Sequence, residues 1–436
     1  MRSFSLGLLL AGLLFVAGCG SSAKSPSSST TTTTGSDANV LAIAVNGGPT
    51  ASEVNGAIYE NGAFASATIC APGSTTNCVT IDDLLVDTGS TGLRVFQSSV
   101  AALNLPALDA SNGAAAYDCV NFIDGSYLWG PVQQADVTLG GETASKLPIQ
   151  VISSSNTGIP TSCSNGSTQN ENTAELLGAN GIIGIGLEPT DCFYAGGSVC
   201  TPTSGLTSPP TPAYYTCTST ACNPAFAALS SQVTNPVVLF PTDNNGVIVE
   251  LPAVSGSALS VGGSVVFGIG TETNNQIASS ATILTLACND FTTVFNGQTY
   301  GITDAASCAG PGSFIDSGSN GLFFPNAANI PLCPSNTAAG DLSSFYCPLT
   351  TQSLSATNEG EDGKSIATNF SVANAETLFT SPTTAADAAM NGLSGENPSG
   401  AGFDWGLPFF YGVNVYSAID GQPMPAGAPA APWWAY

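Results

Sequence analysis

Two stretches of the chain are near copies of each other. One reads Leu84-Leu85-Val86-Asp87-Thr88-Gly89-Ser90-Thr91-Gly92-Leu93, the other Ser313-Phe314-Ile315-Asp316-Ser317-Gly318-Ser319-Asn320-Gly321-Leu322. Each is an apolar run, then Asp, a small hydroxylated residue, Gly, Ser, a polar residue, Gly and Leu. The copies lie 229 positions apart in a chain of 436 residues, about half its length. This spacing predicts two similar lobes about a pseudo-twofold axis, each bringing one aspartate to the centre. A lone Asp-Thr-Gly would read only as a turn after a strand, because Asp and Gly favour turns. Two copies in equivalent apolar contexts carry far more.

The chemistry of such a pair is specific. The apolar run holds each aspartate at the end of a buried strand. Gly89 and Gly318 let the backbone come close enough to donate hydrogen bonds near the partner carboxylate. The hydroxyls of Thr88 and Ser317 can lock the two loops together. Two like charges about 3 Å apart cannot both ionise, so the pair shares a proton. One carboxylate then activates water while the other, protonated, polarises an amide carbonyl.

Composition removes the competing chemistries. The chain has no histidine, 30 acidic residues and 5 basic ones, for a formal charge of −25. Hydrolase triads with a histidine base and histidine-ligated zinc sites are excluded. Arg2, Lys24, Arg94, Lys146 and Lys364 cannot line a phosphate-binding groove, so nucleic acid is no partner. Gly363-Lys364-Ser365 lacks the upstream glycine of a phosphate loop. Asp243-Asn244-Asn245-Gly246 reads as a turn between two strands rather than a calcium loop. No cofactor and no metal is expected.

Short runs rich in Val and Ile, bounded by Gly, Asn, Pro and Ser, predict strands at 81–86, 93–96, 132–139, 147–153, 181–187, 236–240, 246–251 and 263–269. The fold class is all-β. A short helix is expected at 223–233, and one or two more within 371–393. The acid-bearing polar stretch 351–370 reads as a loop. The Cys-, Pro- and Thr-rich stretch near 190–222 reads as a stapled surface insertion. The tail 422–436 ends in Trp433-Trp434-Ala435-Tyr436, whose aromatics suit docking better than a free end.

With these motifs in order, the chain resembles the two-lobed, pepsin-like aspartic proteases over nearly all of residues 40–420. It also resembles, less closely, exported bacterial proteins of unknown function that carry that fold. Asp87-Thr88-Gly89-Ser90 and Asp316-Ser317-Gly318-Ser319 match the two active-site motifs. The resemblance implies that Asp87 and Asp316 form the catalytic dyad and that Ser90 hydrogen-bonds Asp87. It further implies that 180–186 and 403–410 hold the strands threading beneath the two loops. Residues 263–268 would open the second lobe, and 416–420 would form a strand near its end. The lobes are expected at 40–240 and 241–436.

The departures concern activity. In the family a flap tyrosine precedes a Gly-Ser pair by three residues; with Gly125-Ser126 as the pair, that position holds Phe122. Tyr127 could substitute if the hairpin differs. Arg94 stands where a tryptophan is usual, either pairing with an acidic residue or a substrate carboxylate, or lying at the surface. Asp404 replaces an apolar residue before Trp405-Gly406, through a one-residue slip or as a buried acid with a structural partner. Three readings follow: an exported aspartic endopeptidase, a catalytically silent binding or surface module of the same fold, and an unrelated all-β adhesin-like domain. The partner of either pepsin-like form is a peptide or protein, and a monomer is expected.

Residues 1–18 have one basic residue before an apolar run, the layout of a secretory signal. Val16-Ala17-Gly18-Cys19 resembles a bacterial lipobox, which would make Cys19 a lipidated N-terminus; the alternative is an ordinary signal with a chance cysteine. Residues 19–39 then form a Ser/Thr-rich tether. Gly20 argues against inner-membrane retention, so a cell-envelope protein anchored through lipid alone, facing periplasm or surface from the outer membrane, is expected. Twelve further cysteines suit an oxidising compartment. Neighbours in sequence suggest Cys70–Cys78, Cys192–Cys200, Cys217–Cys222 and Cys333–Cys347. Cys119 with Cys163 and Cys288 with Cys308 would complete six bridges; a thiolate metal site is the rival. Changing Cys19 to Ala should abolish lipid labelling and release the protein from membranes. Unchanged labelling and retention would reject the anchor.

Overall fold

The two duplicated stretches fold into the same strand–turn–strand unit. The computed structural model describes residues 37–49, 58–155, 158–194, 197–198, 200–201, 213–219, 221–304, 308–310, 312–381, 383–384, 386–397 and 402–436. The leader 1–18, Cys19, most of the tether and residues 202–212 of the Cys-rich stretch lie outside the described residues.

In the first copy, strand Cys78–Asp87 enters the loop and strand Thr91–Phe96 leaves it. Strand Gly181–Ile185 threads between them. It runs parallel to the entering strand, with Asp87 opposite Gly184, and antiparallel to the leaving strand, with Leu93 opposite Ile183. The second copy repeats the arrangement in miniature. Asp404–Trp405 lies parallel to Phe314–Ile315 and antiparallel to Leu322–Phe324. Even the next neighbour recurs: Thr91–Phe96 pairs in parallel with Glu142–Ile152, and Leu322–Phe324 with Ser394–Glu396. The molecule is an all-β, two-lobed, pepsin-like fold, with a pseudo-twofold visible in its strand pairing.

All five residues of the threading strand Gly181–Ile185 are buried. A strand covered on both faces carries a continuous apolar run rather than an alternating one, as this one does. A fifteen-stranded sheet runs through both lobes. It crosses where Val40–Val45 pairs antiparallel with Val261–Phe267. One apolar cluster, including Val86, Ile183, Val249, Val265 and Trp405, backs both aspartate loops.

All six disulfides pair as the sequence suggested: 70–78, 119–163, 192–200, 217–222, 288–308 and 333–347. The twelve cysteines are thereby consumed, which disposes of a thiolate metal site.

Several local expectations need correction. Residues 223–233 do not form a helix. Cys222–Pro224 is held as a strand against Tyr214–Cys217 by the Cys217–Cys222 bridge, and only the 3₁₀ turn Leu229–Ser231 follows. Tyr214 and Tyr215 are fully buried, so this part of the Cys-rich stretch is not surface. Residues 236–240 give a 3₁₀ helix, Pro236–Leu239, capped by the Asn235 side chain; Asp243–Gly246 therefore links helix to strand. The supposed loop 351–370 is a hairpin, Gln352–Glu359 with Ser365–Val372. Its period-two pattern is carried by small residues such as Ala356 and Thr368, which mask the alternation. Among the described residues of 371–393 one helix forms, Ala375–Thr380, capped by Asn374.

The C-terminal aromatics do dock. Trp433–Ala435 is a strand between Asn414–Ala418 and Ile283–Thr285. Successive side chains of a strand point to opposite faces. Trp433 accordingly joins the cluster of Ile248 and Tyr416, and Trp434 joins the main core. Changing Trp434 to Ala should destabilise the fold by about 3–5 kcal/mol, read as a shift in the urea unfolding midpoint. A change below about 1 kcal/mol would show that the tail is not part of the cooperative core.

Candidate active site

The carboxyls of Asp87 and Asp316 meet at the floor of a cleft of about 1170 Å³ between the lobes. The Gly89 N–H touches both, 2.8 Å from Asp87 Oδ1 and 3.1 Å from Asp316 Oδ1. The Gly318 N–H donates to Asp316 Oδ1 at 2.7 Å. Ser90 adds its backbone N–H to Asp87 Oδ1 (3.1 Å) and its hydroxyl to Asp87 Oδ2 (2.5 Å). Both glycines are required by space. A Cβ on Gly89 would stand 2.5 Å from Asp316 Cγ, and one on Gly318 would stand 2.7 Å from Asp87 Cγ.

Beneath the carboxyls the two loops exchange hydrogen bonds reciprocally. The Thr88 N–H donates to Ser317 Oγ (3.1 Å), and the Ser317 N–H donates to Thr88 Oγ1 (2.9 Å). Each hydroxyl in turn donates to a carbonyl across the interface, Ser317 to Val86 (2.7 Å) and Thr88 to Ile315 (3.4 Å). Thr88 and Ser317 are both buried, so these bonds have little competition from water. Burial and the neighbouring Asp316 charge push Asp87 well above the ordinary carboxylate range, against the pull of the Ser90 and Gly89 donors.

Residues 35–436 match the sequence family described as "Protein of unknown function (DUF3443)". The chain belongs to this family. No curated protein matches it. Among solved structures, an aspartic proteinase from Irpex lacteus is similar at 16% identity and a TM-score of 0.46, over 88% of this chain and 94% of that one.

A third carboxyl completes the floor. Ser319 Oγ lies 2.8 Å from Asp316 Oδ2 and 2.7 Å from Asp404 Oδ2. One hydroxyl carries one proton, so it can donate to one carboxyl and must accept from the other. Burial and the Asp316 charge push Asp404 well above the ordinary range, which favours Asp404 over Asp316 as the carboxyl that donates to this hydroxyl. Of the two readings of Asp404, the buried acid with a partner is the one observed.

The flap residues form the turn between strands Ala116–Asn121 and Tyr127–Leu139. The Phe122 N–H donates to Ser126 O, the Gly125 N–H to Phe122 O, and the Ser126 N–H to Asp124 Oδ1. Phe122 and Ser126 line the cleft. Tyr127 does not substitute for a flap tyrosine. It is buried with Cys119, Trp129 and Tyr215 on the far side of the hairpin.

Arg94 is neither at the surface nor free for a substrate carboxylate. Its side chain is fully buried and paired with Asp118 (2.5 Å) and Asp191 (3.2 Å). Gln150 Oε1 and the Thr91 carbonyl accept from it as well. Tyr214 holds the other oxygen of Asp191 at 2.6 Å. The four N–H donors of its two terminal nitrogens are each matched by one of these acceptors, and its buried Nε has no hydrogen-bond partner among the described residues. The motif pointed to an arginine near the dyad, but its acidic partners come from a strand 24 residues on and a turn 97 residues on.

Sequence reading missed several cleft residues. Tyr59 reaches the dyad from the segment before strand Phe64–Cys70, with no motif to mark it. Glu171, Glu188 and Asp290 line the walls, and burial pushes each up to about 7. Among the described residues, no cluster of three or more acidic or cysteine side chains is arranged to hold a metal ion.

For Asp290 the sign of the pH effect is definite. Its ordinary value is 3.8 and burial alone raises it to about 7. Between those values the folded chain keeps a proton that the unfolded chain releases, so stability falls as pH rises through the window. Replacing Asp290 with Asn removes that contribution. The variant should lose less melting temperature between pH 4 and pH 7 than the parent. Parallel melting curves across that range would show that Asp290 titrates normally.

Proposed function

We propose that the protein is an aspartic endopeptidase that hydrolyses peptide bonds with the Asp87–Asp316 dyad. The supporting observation is the shared Gly89 N–H: two carboxyls bound to one donor are close enough that they hold a single proton between them. The protonated carboxyl donates to the carbonyl oxygen of the scissile amide. The ionised one takes a proton from water as the water oxygen bonds to the carbonyl carbon. The tetrahedral diol then collapses: the nitrogen takes the proton held by the dyad, a diol hydroxyl returns its proton to the ionised carboxyl as its C=O bond forms, the C–N bond breaks, and the new acid and amine leave the dyad singly protonated. Thr88, Gly89, Ser90, Ser317, Gly318 and Ser319 position the pair, and Phe122, Gly125 and Ser126 form the cover over the substrate. In this reading the enzyme is a monomer, exported and held at the cell envelope by lipid on Cys19, and its substrates are peptides or proteins.

One observation favours a second reading, a silent peptide-binding module. The position of the family's flap tyrosine carries Phe122, which lacks a hydroxyl, and Tyr127 points away from the cleft. The two readings separate by experiment. The mature domain is incubated with mixed denatured proteins between pH 3 and pH 7, with and without a pepstatin-type inhibitor. A bell-shaped rate profile is expected, its limbs belonging to the coupled pair. Asp87→Asn and Asp316→Asn should each lower kcat/KM by about 10³-fold or more, and the double variant should be no worse, because each removes half of one mechanism. Persistent activity in either single variant would end the peptidase reading. Absence of any cleavage by the parent would transfer the assignment to the binding module.

A further inference from the structure

Two side chains from the first lobe end on the second catalytic loop. The Tyr59 hydroxyl donates to the Gly318 carbonyl at 3.3 Å. Asn61 Nδ2 donates to the carbonyls of Asn320 (2.8 Å) and Met390 (3.0 Å). Its Oδ1 accepts from the Met390 N–H and the Tyr411 hydroxyl, both at 2.7 Å. Asn61 is fully buried, and both donors and both acceptor sites of its amide are used. Its backbone is left-handed, φ 54°, a conformation Asn tolerates better than most residues. The ring of Tyr59 lies in a built slot. A Cβ on Gly178, which has φ +70°, would come within 2.4 Å of that ring, and Phe64 packs edge-on at 6.0 Å.

The second loop has greater need of such support than the first. Strand Cys78–Asp87 leads into the first loop with ten residues of ladder, whereas Phe314–Ile315 leads into the second with two. Within its own loop, the residues that bond the Asp316 carboxyl are Gly318, through its N–H, and Ser319, through its hydroxyl. Tyr59 holds the carbonyl of Gly318, and Asn61 holds the carbonyl of Asn320, on either side of Ser319. We propose that Tyr59 and Asn61 are positioning residues for Asp316, fixing loop 318–320 so that the second carboxyl stays against the first. The catalytic consequence rests on the peptidase reading; the positioning itself does not.

The titratable groups facing this arrangement are Asp87, Asp316 and Asp404 on the floor, with Glu171 and Asp124 acting on Tyr59 from the flap side. Burial and these negative charges push Tyr59 upward, so its phenol remains a donor at any working pH.

Tyr59→Phe tests the proposal with the least disturbance, because the ring and its slot are kept and one donor is lost. Asn61→Asp replaces the two amide donors by an acceptor at constant size. Two readouts are taken: carbon-13 titration of the aspartate carboxyls, and steady-state cleavage. In Tyr59→Phe the lower apparent pKa of the dyad should rise by about half a pH unit as the donors to Asp316 loosen. With an active parent, kcat should fall about tenfold while KM stays within about twofold. Asn61→Asp should move both readouts the same way. If Asn61→Asp fails to fold, Tyr59→Phe alone decides. A dyad titration and kcat in Tyr59→Phe that superimpose on the parent overturn the proposal, whatever happens to the melting temperature. A parent that cleaves nothing overturns the peptidase reading, and the carboxyl titration still decides this one.

Discussion

Holding two carboxyls face to face inside a protein is the constraint on which the rest of this structure depends. They repel when both are ionised, and each is expensive to bury alone. The chain meets this with a reciprocal exchange between the loops, in which Thr88 and Ser317 each give a backbone N–H to the other's hydroxyl. That exchange has twofold symmetry, so it requires two copies of one loop. The copies in turn require a strand to enter, a strand to leave and a third to thread between them in each lobe. The duplicated topology is therefore the scaffold of a single hydrogen-bonded contact.

Charge is handled by proton retention rather than by ion pairing. With five basic residues against thirty acidic ones, most buried carboxyls cannot have a cationic partner. Arg94 is spent inside the first lobe on Asp118 and Asp191. Asp87, Asp404, Glu171, Glu188 and Asp290 are instead shifted upward, chiefly by burial. The cleft is thus lined with acids that hold their protons more tightly than exposed ones do. For these groups the folded state binds protons more tightly than the unfolded one, so their contribution to stability falls as pH rises. Six disulfides and the docked Trp433-Trp434 strand hold together a body whose surface is otherwise strongly self-repelling.

The fold and the centre of the site were legible in the sequence because both are local and duplicated. Asp87-Thr88-Gly89-Ser90 and its partner specify a backbone turn, and a turn is encoded by the residues that make it. The threading strand Gly181–Ile185 was legible through its unbroken apolar run, and cysteine pairs in hairpins through short separations. Where local chemistry was ambiguous the reading failed. The stretch 223–233 has a helical pattern, but a disulfide and a strand partner hold its start extended. The hairpin 352–372 alternates small polar and apolar residues too gently to stand out.

What the sequence by itself determined was that two equivalent loops each present an aspartate, and that no histidine is available to do its work. The tertiary structure alone decided which side chains surround that pair. Tyr59 and Asn61 reach the second loop from residues more than 250 positions away, and Asp404 reaches Ser319 from 85 away. Arg94 became a buried ion pair because Asp118 and Asp191 lie beside it in space. A turn depends on the dihedral preferences of four or five neighbours, which sequence records directly. The neighbours of a buried side chain depend on how whole strands stack, and no short window of residues contains that information.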